Sequence, residues 1–399
     1  MESQSFFILL CFTRNIMMRG VALTSFGGVE VMKLVDNLPI PKLQRPNDIL
    51  LHIKATAVNR ADLMQRRGHY PPPPGASDIL GLEASGIVES IGSGVTLVQP
   101  GQRVMAILSG GGYAEKVLVP ERHVLPIPSD SMTFEEAAAI PEAFLTAWQC
   151  LKFQTDEHNR LMEGHWVLIH AGASGVGTAA AQLCKLLHCT SITTSSQSKV
   201  AECRKYADFA VSRTPDPVTG KCFQSKVEEE VSGGNKLQRP QSDDPSLLLP
   251  NSQAREELNG GRTEFPGVKL IIDPVVGGTY LEEDCQLLAM DGTIVVLAMM
   301  GGATITTPFQ LSTIFRKRGT IKFSTLRNRC EEYKASLVES FRKEALPSFV
   351  RGRNKEGEMS AGPLLRAVVD QVMKMEDVKL AHSLLENNET VGKVVLTWT

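Results

Sequence analysis

Residues 166–183, WVLIHAGASGVGTAAAQL, decide the fold of this chain. The apolar run Trp166–Ile169 has the composition of a buried strand, and a glycine-rich turn connects it to an apolar stretch with the composition of a helix. Glycines let the backbone of such a turn approach a ligand closely, and the first amides of the helix are unpaired donors at the positive end of its dipole. This order of elements is typical of a loop that binds the diphosphate of a dinucleotide.

The glycine spacing in this loop is Gly-x-x-Gly-x-Gly, whereas the common dinucleotide fingerprint is Gly-x-Gly-x-x-Gly. A helix start with packing glycines would explain the turn taken alone. The strands and helices that alternate around it favour dinucleotide binding. The residues expected to bind the cofactor here are Gly172, Ala173, Ser174, Gly175, Val176 and Gly177.

The pattern on either side of this loop divides the chain into regions. Residues 18–142 contain short runs of Val, Ile, Leu and Ala separated by Gly, Pro, Asn and Asp, which predicts a β-rich domain. Residues 143–324 alternate strands with helices, which predicts an α/β domain with a doubly wound parallel sheet. Residues 325–399 end in a strand that is expected to pair back with the first region.

Two segments stand outside this organisation. Residues 1–17 form an N-terminal extension that lacks the pattern of a secretory signal and is expected to be disordered, with targeting to an organelle as the alternative. Residues 232–256 combine Gly, Pro, Asn, Gln and Asp without periodicity, which predicts an inserted surface loop.

The composition excludes several classes of function. The 399 residues carry 42 basic and 44 acidic side chains, for a net charge of -2, so no nucleic-acid-binding surface is expected. No segment has the ~18 consecutive apolar residues of a membrane span. The 8 cysteines are scattered and form no Cys-x-x-Cys pair, which indicates reduced thiols and a cytoplasmic location.

The end of the second predicted strand of the α/β domain distinguishes between the two nicotinamide cofactors. An NAD site usually carries Asp or Glu ~20 residues after the glycine loop. Here the chain has Ser195, Ser196 and Lys199, and no carboxylate. Hydroxyls and a lysine suit a 2′-phosphate, so NADP is the expected cofactor. Ser196 is also suited to be a helix N-cap, and a lone lysine is more often a solvated surface residue.

The chain resembles the quinone oxidoreductase (zeta-crystallin-like) branch of the medium-chain dehydrogenases/reductases. The resemblance runs from about residue 18 to the end, apart from residues 232–256, and implies a GroES-like catalytic domain followed by a Rossmann domain. Four strings carry it: NRADLMQRRGHYPPPPGASDILGLEASG at 59–86, EEAAAIPEAFLTAW at 135–148, VLIHAGASGVGTAAAQL at 167–183 and IIDPVVGG at 271–278.

The same resemblance implies that no zinc is bound. Zinc-dependent members of the superfamily hold the catalytic ion with a cysteine, a histidine and a third ligand. Asn59 and Leu82 occupy the first two places in this chain, and neither replaces a thiolate or an imidazole. Residues 86–149, where the structural zinc lobe would lie, contain no cysteine. No metal site is therefore expected.

The resemblance also suggests residues near the reacting groups. Tyr70, in a proline-rich loop, is expected near the nicotinamide, where it would stack on a flat substrate or donate a hydrogen bond; packing on the prolines is the alternative. Asn59 and Asp62 are expected at the floor of the catalytic cleft, where Asn59 would contact cofactor or substrate; Asp62 equally suits a helix cap or a salt bridge. Thr146 is expected to face the nicotinamide, and Ser174 to lie beside both diphosphate and substrate.

Two further residues bear on the cofactor site. Thr214 stands where the family often has a tyrosine or histidine against the adenosine phosphate, so a weaker NADP affinity is expected. His170 ends the strand before the loop and is interpreted as structural.

Together these features predict a zinc-independent, NADPH-dependent reductase of quinones, because activated acceptors take a hydride without a Lewis-acid metal. Two alternatives remain open: reduction of alkenals or 2-enoyl thioesters on the same scaffold, and a non-enzymatic nucleotide-binding scaffold. A homodimer formed through the edge of the Rossmann domain is expected from the resemblance.

Overall fold

A computed structural model describes residues 17–155, 159–232, 265–305, 309–350 and 363–398. Apart from Met17 and Ser232, the predicted extension and insertion lie outside the described residues. The chain divides into two compact units. The β-rich unit comprises Met1–Glu142, Arg327–Glu339 and Val369–Thr399, and the parallel-sheet unit comprises Ala143–Leu326 and Ser340–Val368.

The β-rich unit contains a mixed sheet and a separate hairpin. The sheet has the order β14-β15-β3-β4-β5-β7, with β6 also paired to β3, and the hairpin is formed by β1 and β2. The strands are β1 Met17–Leu23, β2 Met32–Pro39, β3 Asp48–Ala57, β4 Glu83–Ile91, β5 Arg103–Ile107, β6 Lys116–Pro120, β7 Val124–Pro126, β14 Val369–Lys374 and β15 Lys393–Thr397.

The last strand pairs back with the first region, as the sequence predicts. Strand β15 runs antiparallel to β3, with Val395 opposite Ala57. Most residues of both strands are buried, and each strand contributes side chains to an apolar cluster of the unit. This pairing places the C-terminal strand beside the residues that follow β3, which include Asn59 and Asp62.

The parallel-sheet unit contains six strands in the order β10-β9-β8-β11-β12-β13, and every pairing is parallel. The strands are β8 Trp166–Ile169, β9 Thr190–Ser195, β10 Phe209–Ser212, β11 Val268–Asp273, β12 Leu288–Val296 and β13 Thr320–Phe323. The order reverses between β8 and β11, and such a switch point is where doubly wound sheets bind their ligands. The predicted fold class, a doubly wound parallel sheet with a β-rich unit, is confirmed.

The helices connect these strands. They are α1 Arg60–Arg66, α2 Phe134–Ala138, α3 Pro141–Trp148, α4 Gly175–Leu186, α5 Val200–Cys203, α6 Gln224–Ser232, α7 Tyr280–Leu287, α8 Leu311–Arg316, α9 Glu331–Glu344 and α10 Val378–Glu386. Within the described ranges, no helix combines the length and apolar character that crossing a bilayer requires.

The residues at which the chain re-enters the β-rich unit differ from the boundary predicted at 325. Only residues 327–339 and 369–399 belong to the β-rich unit, and residues 340–368 belong to the parallel-sheet unit. Aromatic packing explains this division, since Phe341 and Phe349 lie 6.3 and 4.9 Å from the ring of Phe144.

Candidate functional site: a phosphate loop and a buried polar cluster

The glycine loop joins β8 to α4 in the parallel-sheet unit. Ala171 opens it with a φ of 52°, a left-handed conformation that is uncommon for a residue with a Cβ atom and is often found at functional sites. The amide of Gly172 donates to the Thr194 oxygen at 2.9 Å, which ties the loop to β9. The exposed Ser174 caps α4, because its Oγ accepts a hydrogen bond from the Gly177 amide at 3.0 Å.

Two glycines in this loop have no room for a side chain. A Cβ atom on Gly177 would lie 2.4 Å from the Ala171 oxygen, and one on Gly172 would lie 2.5 Å from Thr193 Cβ. The first turn of α4 contains the amides of Gly175 and Val176, which have no acceptor within the helix. A turn this tight in front of free helical amides fits a diphosphate group. The loop residues named from the sequence thus lie together.

His170 lies beneath the loop in a closed polar cluster. The ring is fully buried, with Nδ1 2.8 Å from Thr194 Oγ1 and Nε2 2.7 Å from Asp284 Oδ1. His170, Asp273 and Asp284 have potential metal-ligand atoms within 4.8 Å of one another. Burial raises the pKa of Asp273 to about 6 and that of Asp284 well above its usual range, so Asp284 favours its protonated form at neutral pH.

The residues named for the adenosine end lie at the carboxyl ends of β9 and β10. Ser195 is buried, Ser196 and Lys199 are half-buried, and Thr214 is exposed. Ser196 precedes the short 3-10 helix Gln197–Lys199 and makes no side-chain capping bond to it. The amide of Arg213 donates to the Ser195 oxygen at 2.8 Å. The exposed Arg213 therefore also lies at this end of the strands, although it is not among the residues predicted from the sequence.

Asp62 anchors two segments in the β-rich unit. It is fully buried on α1, where Oδ2 accepts the Asn59 amide at 2.8 Å and Oδ1 accepts the Gly81 amide at 2.9 Å. A helix cap and a salt bridge were the alternatives for Asp62, and its bond to the Asn59 amide is that of a helix cap. Burial raises its pKa to about 6, although the two amides and the charges of Lys393 and Arg327 oppose this shift.

Both polar atoms of the Asn59 side chain, Nδ2 and Oδ1, form hydrogen bonds with neighbouring residues. Nδ2 donates to the Ala57 oxygen at 3.1 Å and to Glu83 Oε1 at 2.9 Å, and Oδ1 accepts from Lys393 Nζ. Lys393 also contacts Glu83 Oε1 at 2.8 Å, and both residues are buried. Leu82, the other position compared with a zinc ligand, is fully buried. All these hydrogen bonds of the Asn59 side chain are thus made within the β-rich unit.

Tyr70 is held by Arg327. The guanidinium lies 5.4 Å from the centroid of the tyrosine ring and donates to the Tyr70 backbone oxygen at 3.3 Å. The Tyr70 ring is half-buried, and burial raises the pKa of its hydroxyl, with a further contribution from Glu142. The hydroxyl is therefore a neutral donor at physiological pH.

Glu142 is a second carboxyl with an altered pKa. Its amide donates to Glu83 Oε2 at 2.8 Å at the start of α3. Burial, together with the charges of Glu83 and Asp62, raises its pKa to about 8. A carboxyl that holds its proton at neutral pH is able to act as an acid.

The residues predicted to lie near the reacting groups are divided between the two units. The β-rich unit holds Tyr70, Asn59 and Asp62, whereas Ser174 and Thr146, half-buried on α3, belong to the parallel-sheet unit. The sequence did not reveal the charged residues near Tyr70, Asn59 and Asp62, which are Glu83, Glu142, Arg327 and Lys393. Only Glu83 and Glu142 lie in strings that carried the resemblance, and nothing marks Arg327 or Lys393 in the sequence.

Two domain families match this chain. Residues 45–129 match the Alcohol dehydrogenase GroES-like domain, and residues 252–396 match the Zinc-binding dehydrogenase family. The residues at the compared zinc-ligand positions are nevertheless Asn59 and Leu82, with the contacts described above.

The chain is also similar to curated proteins of two kinds. The chain is 38% identical over 183 residues to the Synaptic vesicle membrane protein VAT-1 homolog of Rattus norvegicus, a match that covers 46% of this chain and 44% of that protein. The chain thus spans less than half the length of this relative. It is 24% identical to the Quinone oxidoreductase of Lama guanicoe over 96% of this chain and 98% of that protein.

A solved structure extends the likeness over the whole fold. A mycobacterial protein complexed with NADPH superposes with a TM-score of 0.67 and 25% identity, covering 96% of this chain and 100% of that one.

Proposed function

Since the chain belongs to the medium-chain dehydrogenase/reductase family, we propose that it is an NADPH-dependent reductase that transfers hydride to quinones without a zinc ion. One observation carries this proposal: the same unit has a tight glycine loop that suits a diphosphate and, at the end of β9, hydroxyl and cationic side chains that suit a further phosphate. The name and full-length match of the llama relative support the substrate class.

The residues around the loop suit NADPH better than NADH. The loop from Gly172 to Gly177 would hold the diphosphate, with the amides of Gly175 and Val176 as donors, while Ser195, Ser196, Lys199 and Thr214 would surround the 2′-phosphate, joined by Arg213. A carboxylate in this place would bind ribose hydroxyls and repel a phosphate dianion. When bound, NADPH supplies the hydride, and the chain supplies position and electrostatics.

Substrate activation is assigned to the β-rich unit. Hydride addition to a quinone leaves negative charge on an oxygen, and a neutral hydroxyl such as that of Tyr70 stabilises it by donating a hydrogen bond. Glu142 holds a proton that an oxygen anion is able to take. Because a quinone is already electron-poor, this assistance replaces the polarisation that a plain ketone would need from a metal.

The test is NADPH oxidation by the purified full chain. We expect turnover with ortho- and para-quinones, a lower KM for NADPH than for NADH, and no loss of activity after dialysis against a chelator. Panels of 2-alkenals and 2-enoyl thioesters, compared by kcat/KM, identify the related enone reductase. Calorimetric binding of NADPH without turnover on either panel would contradict the enzymatic proposal and indicate a nucleotide-binding scaffold.

We also propose that two copies pair through the outer strand of the parallel sheet. Strand β13 has a neighbour on one side only in the described sheet, and Phe323 on it is 66% exposed. Leu311 and Phe315 of α8 are 69% and 81% exposed. An antiparallel copy of β13 would complete the strand edge and cover such apolar groups. Light scattering should give a dimer mass, and Phe323→Lys should reduce it to that of one chain.

The cysteines support a cytoplasmic location. The seven described cysteines are free thiols, and burial raises the pKa of several of them, including Cys150 and Cys184. Free thiols persist in reducing compartments. Fractionation of cells that express the full chain tests this location.

A further inference from the structure

The side chain of Lys393 ends inside the β-rich unit. Lys393 begins β15 and is 5% exposed. Its ammonium contacts three oxygens: the Val58 oxygen at 3.1 Å, Glu83 Oε1 at 2.8 Å and Asn59 Oδ1. A positive ion enclosed by a carboxylate, an amide oxygen and a backbone oxygen is the arrangement that hard metal ions have in proteins.

The oxygens around this ammonium belong to segments far apart in the sequence. Val58 and Asn59 follow β3, and Glu83 begins β4. Glu83 is fully buried, and its second oxygen, Oε2, accepts the Glu142 amide at 2.8 Å. A buried carboxylate without a positive partner is strongly unfavourable, so the position of Glu83 depends on Lys393.

The charge of Lys393 also reaches the neighbouring acids. It lowers the pKa of Asp62 and that of Glu142, and it thus opposes the effect of burial on both carboxyls. A metal ion in this place would act on them in the same direction.

We propose that the Lys393 ammonium is a built-in cation that takes the structural and electrostatic place of a metal ion, joining Asn59 to Glu83 and moderating the charge of the nearby carboxyls. Lys393 is then a positioning residue for the reduction, and this part rests on the proposed function. The proposal explains why Asn59 is present where the resemblance places a thiolate: an amide is able to accept from an ammonium and donate to Glu83 at once.

The first experiment is chemical rescue of Lys393→Ala, followed by thermal unfolding. The added probe is n-propylammonium chloride, with tetramethylammonium chloride and sodium chloride at equal ionic strength as controls. We expect propylammonium to raise the unfolding temperature of the variant by several degrees and to leave the wild type and the exposed-site control Lys33→Ala unchanged. Equal responses to all three salts would overturn the proposal. This readout does not depend on reductase activity.

A double substitution keeps the proposal testable if Lys393→Ala does not fold. Lys393→Met leaves Glu83 without a partner, whereas Glu83→Gln combined with Lys393→Met removes both charges. We expect the double variant to unfold at a higher temperature than Lys393→Met alone. If the double variant is no more stable than the single one, the ammonium does not serve to neutralise Glu83 and the proposal fails.

The pH profile tests the positioning role. If the chain reduces quinones, the apparent pKa of the basic limb of kcat should rise in Lys393→Met, because the carboxyls lose a nearby positive charge, and should return toward the wild-type value in Lys393→Arg. An unchanged profile in an active Lys393→Met enzyme would overturn the positioning role. A chain without quinone reductase activity would overturn the proposed function alone, since rescue by propylammonium still decides the cation site.

Discussion

The guanidinium of Arg327 lies 5.4 Å over the ring of Tyr70 and donates a hydrogen bond to the backbone oxygen of the same residue. Its other nitrogens donate to the Ser109 oxygen at 2.9 Å and to Gln65 Oε1 at 2.8 Å. The planar fork of the guanidinium thus joins three segments, which a lysine is unable to do. We interpret Arg327 as the residue that positions Tyr70.

Arg327→Lys is expected to raise KM for quinones several-fold and to change KM for NADPH little, because the Tyr70 loop loses its stacking and hydrogen-bonding partner. Steady-state kinetics measure both constants. Arg329→Lys is the matched control, since Arg329 lies 4.7 Å over a different ring, that of Tyr333. Equal effects of the two substitutions would count against a specific role for Arg327.

Tyr70→Phe is expected to lower kcat with quinones by up to ~10²-fold, the effect of removing one hydrogen-bond donor to a developing oxyanion. The ring and its contact with Arg327 are kept, so KM should change little. If kcat is unchanged in Tyr70→Phe and falls in Tyr70→Leu, the ring stacks on the substrate and the hydroxyl is not used.

Gly177→Ala is expected to abolish NADPH binding, because the added methyl would lie 2.4 Å from the Ala171 oxygen and would open the loop. Calorimetric titration with NADPH measures the loss. Gly94→Ala in the β-rich unit is the control, since its methyl would lie 3.1 Å from Pro46 Cβ and 3.4 Å from the Pro46 oxygen, which are much milder contacts. NADPH binding to a folded Gly177→Ala protein with wild-type affinity would contradict the assignment of this loop.

Lys199→Ala and Arg213→Ala are each expected to raise KM for NADPH about tenfold, which corresponds to ~1.4 kcal/mol, and to leave KM for NADH unchanged. The reason is that only NADPH carries the 2′-phosphate that these cations would contact. Arg204→Ala, which removes an exposed cation paired with Glu230, is the control. Equal losses with both cofactors would place these residues away from the phosphate.

Glu142→Gln is expected to flatten the dependence of stability on pH. The pKa of Glu142 in the folded chain is about 8, raised above the ordinary glutamate value of 4.5. The folded chain therefore holds a proton that the unfolded chain releases, and stability falls as the pH rises from about 4.5 to about 8. Unfolding temperatures measured across this range should fall less in Glu142→Gln than in the wild type. The exposed Glu163 provides the control, Glu163→Gln.

The glycine loop and the parallel sheet were predictable because their signals are local. The strand, the turn and the helix of residues 166–183 follow one another directly, and the requirement for glycine at Gly172 and Gly177 arises from atoms within the loop and the next strand. The same holds for the strands of the β-rich unit, which alternate with turn residues. The unit to which residues 340–368 belong was not predictable, because it depends on the packing of Phe341 and Phe349 against Phe144.

The sequence by itself determined the doubly wound sheet, the glycine loop and the replacement of both compared zinc ligands by Asn59 and Leu82. Tertiary structure alone decided what Asn59 and Tyr70 contact, since Lys393 is 334 residues from Asn59 and Arg327 is 257 residues from Tyr70 along the chain. The physical reason is that periodicity and turn chemistry act between neighbours, whereas a lysine or arginine has the same local signal in solvent and in a buried ion pair. Only folding removes water from Lys393 and Glu83 and makes each require the other.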